Sequence, residues 1–180
     1  MDFRDRPFRL PETLTDGVVR LDGHRLVDAE AHWAGEDDEM MRRFDSPRKA
    51  TLEETRAVME RWGAARLAGG PEFIYALRDP SGRLMGGCAS YRLSEDSANV
   101  SYWLFPAFRG RGYATRALAL LCNAVAQVPG MVRIEAHVDA DNFASRRVAE
   151  RLGFSEDGTV VDESWSGALS TRLRYVKRLA

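Results

Sequence analysis

The stretch from Val100 to Val138 constrains this chain more than any other part of it. Val100-Ser101-Tyr102-Trp103-Leu104-Phe105 is apolar on both faces, which suits a central strand covered on each side. A helix follows from Gly112 to about Gln127, with Ala114, Ala117, Leu118, Leu121 and Val125 on one stripe, and Pro129-Gly130 ends it. Val132 to Val138 then alternates cleanly, sending Val132, Ile134, Ala136 and Val138 to one side. Two strands joined through one helix run parallel, in a right-handed crossover.

The flanking segments predict antiparallel neighbours. Val18 to Leu26 reads as a short strand interrupted at Asp22-Gly23. Asp28 can cap a short helix to about Ala34, and Glu36-Asp37-Asp38-Glu39 opens another that carries Met40, Met41 and Phe44 toward the core. Thr51-Leu52-Glu53-Glu54 is a capping box, followed by Leu52, Thr55, Met59 and Trp62 at helical spacing until Gly69-Gly70-Pro71. Phe73–Leu77 and Leu84–Leu93 form a hairpin around Asp79-Pro80-Ser81-Gly82. A last helix spans roughly Asn142 to Leu152, and strands near Phe154–Asp162 and Leu169–Leu179 finish the chain. The expectation is one α/β domain over residues 1–180, with residues 1–12 as an irregular arm. Its sheet should be mixed and mostly antiparallel, with about six to seven strands, a central parallel pair and helices on both faces.

Composition narrows the function classes. The 180 residues carry 26 basic and 27 acidic side chains, a net charge of -1, so nothing pulls the whole chain toward nucleic acid or an anionic membrane. The longest apolar stretch, Ala117 to Ala126, is broken by Asn123 and is far shorter than the roughly 20 residues a membrane span needs. The first residues lack the apolar run of a signal peptide, so a cytoplasmic location is expected. Cys88 and Cys122 read as reduced core residues. No HExxH, GxSxG or clustered Cys/His pattern is present, so no metal site is expected, and His24 and His32 read as structural or solvated.

The chemistry lies between the central strand and its helix, in Pro106-Ala107-Phe108-Arg109-Gly110-Arg111-Gly112-Tyr113-Ala114-Thr115. Two glycines at a helix start let successive N–H groups curl toward one point at the positive end of the helix dipole. Arg109 and Arg111 add charge, so a phosphate or pyrophosphate is the ligand favoured, against the plainer reading of a glycine turn with two solvated arginines. A P-loop would need a lysine here, and there is none. A dinucleotide fingerprint fits poorly, because Thr115 holds the third glycine position.

Arg109-Gly110-Arg111-Gly112-Tyr113-Ala114 resembles the [QR]-x-x-G-x-[GA] signature of the GCN5-related N-acetyltransferases (GNAT). Ser101-Tyr102-Trp103-Leu104, Asp139-Ala140-Asp141-Asn142-Phe143-Ala144-Ser145-Arg146-Arg147-Val148 and Leu152-Gly153-Phe154 are similar to its neighbouring core segments. Together they resemble the RimJ/RimL-like branch, which includes ribosomal-protein N-terminal acetyltransferases. The resemblance implies acetyl-CoA as cosubstrate and a central parallel pair that splays. The strand at Trp103, Leu104 and Phe105 would pair with the pantetheine amides. The amides from Arg109 through Gly110, Arg111, Gly112, Tyr113 and Ala114 to Thr115 would take the pyrophosphate. Asn142 and Ser145 would face the thiol end, and Arg146 would reach the nucleotide phosphates.

Amine acetylation needs a free amine lone pair and a leaving thiolate. Val132 to Val138 puts Arg133, Glu135 and His137 on the face opposite its aliphatic stripe. His137 is the candidate base, since an imidazole titrates near working pH, and Glu135 could orient it or share the role; the plainer reading is two structural polar groups. The resemblance implies a tyrosine as proton donor to the thiolate seven residues after Asn142, but Ala149 stands there, so Ser145 is the substitute. Arg116 and Asn99 also stand where relatives carry acids. The acceptor would enter past Glu36, Asp37, Asp38, Glu39 and Asp45 on one side and Asp157, Asp162 and Glu163 on the other, an acidic mouth suited to a protein N-terminus or a cationic small amine. Trp33, Phe44, Trp62 and Trp165 read as core or wall residues. Dimers are frequent among such relatives, so a homodimer is one expectation. The rival reading is a CoA-binding sensor without catalysis.

Overall fold

A computed structural model describes residues 8–70, 72–163, 167 and 169–179; Trp165 and residues 1–7 of the expected arm lie outside the described residues. The chain forms β1 (Leu14–Thr15), β2 (Arg20–Gly23), α1 (Ala29–Gly35), α2 (Asp38–Arg43), α3 (Leu52–Ala68), β3 (Glu72–Arg78), β4 (Leu84–Arg92), β5 (Ser97–Leu104), α4 (Tyr113–Ala126), β6 (Arg133–Val138), α5 (Phe143–Arg151), β7 (Ser155–Glu163) and β8 (Leu169–Arg178). The described strands make one sheet of eight, in the order β1-β2-β3-β4-β5-β6-β8-β7. That is more strands than expected, because the two-residue β1 pairs with β2. Residues 8–12 form neither helix nor strand, and Phe8 and Leu10 are buried in the core.

Local chemistry explains the helix limits. Thr51 N–H donates to Glu54 Oε2 at 2.7 Å and Glu54 N–H to Thr51 Oγ1 at 3.2 Å, so the capping box closes as written. Gly69, at φ 84°, ends α3 in the left-handed conformation that other residues resist. The α4 stripe of Ala117, Leu118, Leu121 and Val125 is buried. Trp103 packs a ring against Trp62 of α3, while Tyr102 reaches Ser145 of α5. Adjacent strand residues point to opposite faces, so α3 and α5 lie on opposite sides of the sheet.

Among the described strands, β5 and β6 form the parallel pair, and they stay paired for three residues: Ser97–Arg133, Ala98–Ile134 and Asn99–Glu135. Beyond Asn99 they part. The cause lies on the other edge of β5. In β4, Met85 is an extra residue, since Leu77 pairs with Gly86 and Arg78 with Leu84. A bulge bends and twists its strand. The end of β5 follows it, with Phe105 N–H donating to Met85 O at 2.9 Å, and is carried away from β6.

One buried charge cluster braces the opposite end of the sheet. Arg78 is 2% exposed, donates to Asp22 Oδ1 at 2.6 Å and grips both carboxylate oxygens of Asp28 at 2.8 and 2.7 Å.

Candidate active site

The parting of β5 and β6 opens a cleft of about 750 Å³. Its floor is backbone. Phe105 turns its N–H to β4, and Trp103 O lies so close to Gly86 that a Cβ there would overlap it. Backbone groups alternate along a strand, so residues 101, 103 and 105 face β4, and those of Val100, Tyr102 and Leu104 face the cleft. Of the three residues expected to pair with a pantetheine, Leu104 alone presents backbone to the gap. Trp103 and Phe105 present theirs to β4, and the parity was legible only once the β4 register was known.

At one end of the cleft, Gly110 (φ 73°) and Gly112 (φ 79°) adopt left-handed conformations, which curl the chain into the start of α4. The N–H groups of Tyr113, Ala114 and Thr115 open this 14-residue helix and have no partner within it. They are the donors that the expected anion site would use, and the charges around them differ from those expected. Arg109 is turned away: its Nη1 and Nη2 fork onto Asp37 at 2.7 and 2.8 Å, and its Nε donates to Leu104 O at 3.0 Å. This fork holds the Asp37 carboxyl below its ordinary range. Arg111 forms no ion pair among the described residues.

The wall opposite is α5. Asn142 caps it, accepting Ser145 N–H at 3.1 Å, and Ser145 Oγ lies 2.9 Å from Tyr102 Oη. Arg146, expected at the phosphates, points elsewhere: its Nε donates to Tyr175 Oη at 3.1 Å and its Nη1 to Ala140 O at 3.2 Å. Arg147 and Arg151, which the sequence reading passed over, line the cleft instead. They sit four apart, one above the other on the same helical face, and that spacing was the available signal.

On the acceptor side, Glu135, His137 and Asp162 come together. His137 Nδ1 lies 2.9 Å from both oxygens of Asp162, and Nε2 lies 3.3 Å from Glu135 Oε2. Arg133 Nε donates to the other Glu135 oxygen at 3.1 Å. Both ring nitrogens of His137 therefore face carboxylate oxygens. His137 lines the cleft, and Glu135 stands beside it, 7% exposed.

Much of the expected acidic mouth is paired with arginines, but Glu36, Asp38 and Glu163 have no arginine partner among the described residues. Besides the Asp37–Arg109 fork, Arg43 reaches Glu39 at 2.8 Å, Asp139 at 2.9 Å and also Asp141, while Arg42 bonds Asp141 at 2.9 Å. Arg172 pairs with Asp45 at 2.8 Å and Asp139 at 3.1 Å, and Arg174 with Asp157 at 3.0 Å. The short α2 is thus tied to the phosphate loop on one flank and to the β6–α5 turn on the other. Cys88 and Cys122 are buried free thiols outside the cleft lining, and burial pushes Cys88 well above the ordinary range and Cys122 up to about 12. No group of His, Cys, Asp and Glu able to hold a metal occurs among the described residues.

A mixed sheet that splays beside a glycine-curled helix start defines the acetyl-CoA-binding class of acyltransferases. The sequence profile of the acetyltransferase (GNAT) domain matches residues 19–155. The chain belongs to that family, whose members take acetyl groups from acetyl-CoA. An uncharacterised N-acetyltransferase of Bacillus subtilis strain 168, YycN, is 37% identical over 62 residues, 34% of this chain and 39% of that protein. The fold is similar to that of RimL, a ribosomal L7/L12 α-N-protein acetyltransferase solved with coenzyme A, at a TM-score of 0.75 and 18% identity over 93% of this chain and 98% of the other. It is also similar to the microcin C7 self-immunity acetyltransferase MccE, solved with acetyl-CoA and AMP, at a TM-score of 0.77 and 18% identity over 99% and 100% of the two chains.

Proposed function

We propose that this chain moves an acetyl group from acetyl-CoA to a primary amine, by direct transfer in a ternary complex. The observation that carries the reading is the parting of β5 from β6 after Asn99, in line with the free amides of α4. The backbone of Val100, Tyr102 and Leu104 supplies the rungs a pantetheine amide can complete. The amides from Gly110 to Thr115 receive the pyrophosphate, with Arg111, Arg147 and Arg151 beside them. Leu104 N–H is the simplest donor to the thioester oxygen as it becomes an oxyanion.

The amine approaches from the α1–α3 face. Its proton passes to the His137–Glu135–Asp162 row acting as a unit, in which the 3.3 Å contact of Nε2 is the longer one and yields first. Ser145, on the other wall, protonates the departing thiolate. Buried cysteines leave no acyl-enzyme route through them, which supports direct transfer. Among the similar folds, RimL is named for the α-amine of ribosomal protein L7/L12 and MccE for self-immunity to microcin C7. The acceptor class here is accordingly a peptide N-terminus or a small amine, and the acids of the mouth that have no arginine partner favour a cationic one.

A thermal-shift titration with acetyl-CoA, against NAD and ATP, tests the cosubstrate. At about 100 times Kd the gain is about 2.7 kcal/mol. Free-thiol release with a panel of amines then tests transfer. The second reading, a CoA-binding sensor, is favoured by Ala149 and by the doubly engaged His137; binding without thiol release across the panel would establish it.

A further inference from the structure

Ala149 stands where the family resemblance places a phenol, yet a phenol reaches this wall from another element. Tyr102 leaves β5 toward α5, and its Oη lies 2.9 Å from Ser145 Oγ. Tyr102, Ser145 and Ala149 all line the cleft. Ser145 is fixed from two sides, since its N–H donates to Asn142 Oδ1 at 3.1 Å while its hydroxyl meets Tyr102. Burial raises the Tyr102 phenol above its ordinary value, which keeps its proton in place at neutral pH.

We propose that Tyr102 is a positioning residue for acetyl transfer, one that directs the Ser145 hydroxyl into the cleft and replaces the proton that Ser145 gives up. The assignment rests on the acetyl-transfer reading above. When the amine nitrogen has bonded to the carbonyl carbon, the C–S bond breaks and sulfur takes the electron pair. Ser145 Oγ–H passes its proton to sulfur, giving the free thiol, and Tyr102 Oη–H passes its proton to Ser145. The phenolate then takes a proton from water, and the hydroxide left takes the proton that the amine surrendered. In the other polarity, with Ser145 donating to Tyr102, the serine proton points away from sulfur and the thiolate leaves unassisted.

The test uses the full chain and thiol release from acetyl-CoA, with Ser- and Met-initiated tetrapeptides, spermidine and tobramycin as acceptors. Tyr102→Phe, Ser145→Ala and the double variant are compared. Tyr102→Phe removes one oxygen and keeps the ring. It is expected to lower kcat about 10- to 100-fold with KM for acetyl-CoA within about twofold, in the range of general-acid effects. The double variant should be no slower than Ser145→Ala alone, because two links of one relay do not add. Ala149→Tyr placed on Tyr102→Phe should recover part of the lost kcat. Unchanged kcat in Tyr102→Phe, or losses that multiply in the double variant, would overturn the assignment while wild-type turnover keeps the acetyl-transfer reading standing. A wild type that binds acetyl-CoA and releases no thiol with any acceptor overturns both together.

Discussion

Arg109 and Asp37 meet as two parallel hydrogen bonds, Nη1 to Oδ2 at 2.7 Å and Nη2 to Oδ1 at 2.8 Å. The pairing turns the first arginine of the Arg109–Ala114 segment away from the open amides of α4 and uses it to hold α2 against the loop. Both side chains are partly exposed, so a double-mutant cycle of Arg109→Ala and Asp37→Ala should give a coupling of about 1 kcal/mol or less in denaturant unfolding. The Asp37 carboxyl sits below its ordinary range, so this contribution is present above the unfolded pKa near 3.9 and is lost as pH falls through the lower folded value. A cycle repeated at pH 7 and pH 3 checks the sign.

The phosphate charges should map to the neighbours instead. Arg147→Ala and Arg151→Ala are expected to weaken acetyl-CoA binding about fivefold each, near 1 kcal/mol for a solvent-exposed charge contact. Arg146→Ala should leave Kd unchanged, since its guanidinium bonds Tyr175 and Ala140. Calorimetric titration at two salt concentrations distinguishes them, because only the phosphate contacts lose strength with salt.

Arg78→Met would leave the buried Asp28 carboxylate without its arginine, while Asp22 keeps Arg20 and Arg25 at 3.1 and 3.2 Å. Breaking a buried pair costs about 3–5 kcal/mol, or a Tm lower by roughly 6–20 °C for a chain of this size. Differential scanning calorimetry measures it. A loss under about 1 kcal/mol would show that the cluster is more hydrated than its exposure suggests.

His24 lies among the rings of His32, Trp62 and Trp103, at centroid distances of 5.7, 4.9 and 6.1 Å. Burial first, and the neighbouring His32 second, lower its pKa to about 3. An unfolded His24 takes a proton near pH 6.5 while the folded one does not. The stabilisation is therefore whole above about pH 6.5 and declines by up to roughly 1.4 kcal/mol per unit as pH falls toward the folded value. His24→Phe should flatten the unfolding free energy between pH 6.5 and 4; an unchanged slope would assign the acid loss to other groups.

A methyl at Gly87 would overlap the indole of Trp103, and one at Gly86 would overlap the Trp103 carbonyl. An indole edge can shift and a carbonyl in a sheet cannot. Gly87→Ala should cost about 1–3 kcal/mol and fold, whereas Gly86→Ala, also strained at φ 153°, should fail to accumulate as soluble folded protein.

The order of elements was legible because each rests on local rules. The capping box at Thr51 and Glu54, the alternation of β6 and the glycine curl before α4 all involve residues within a few positions of one another. What escaped depends on partners far along the chain. Arg109 meets Asp37 across 72 residues and His137 meets Asp162 across 25, and neither separation leaves a local mark. Arg146 and Arg147 differ by one position, which on a helix is a rotation of about 100° and the difference between facing a tyrosine and facing the cleft. In β5 a single step decides which backbone groups face the gap, and the bulge at Met85 that draws the strand away has no signature in alternation.

Three rungs, ending at Asn99 and Glu135, join the block β1–β5 to the block β6–β8. Mechanically the sheet is two plates on a short hinge, with the gap as its free margin. A ligand with extended amides laid in that margin would act as a splice, adding rungs where the protein has none. Acetyl-CoA should therefore stiffen the molecule before any acceptor arrives, and the acceptor would meet a surface that the cosubstrate has helped to set.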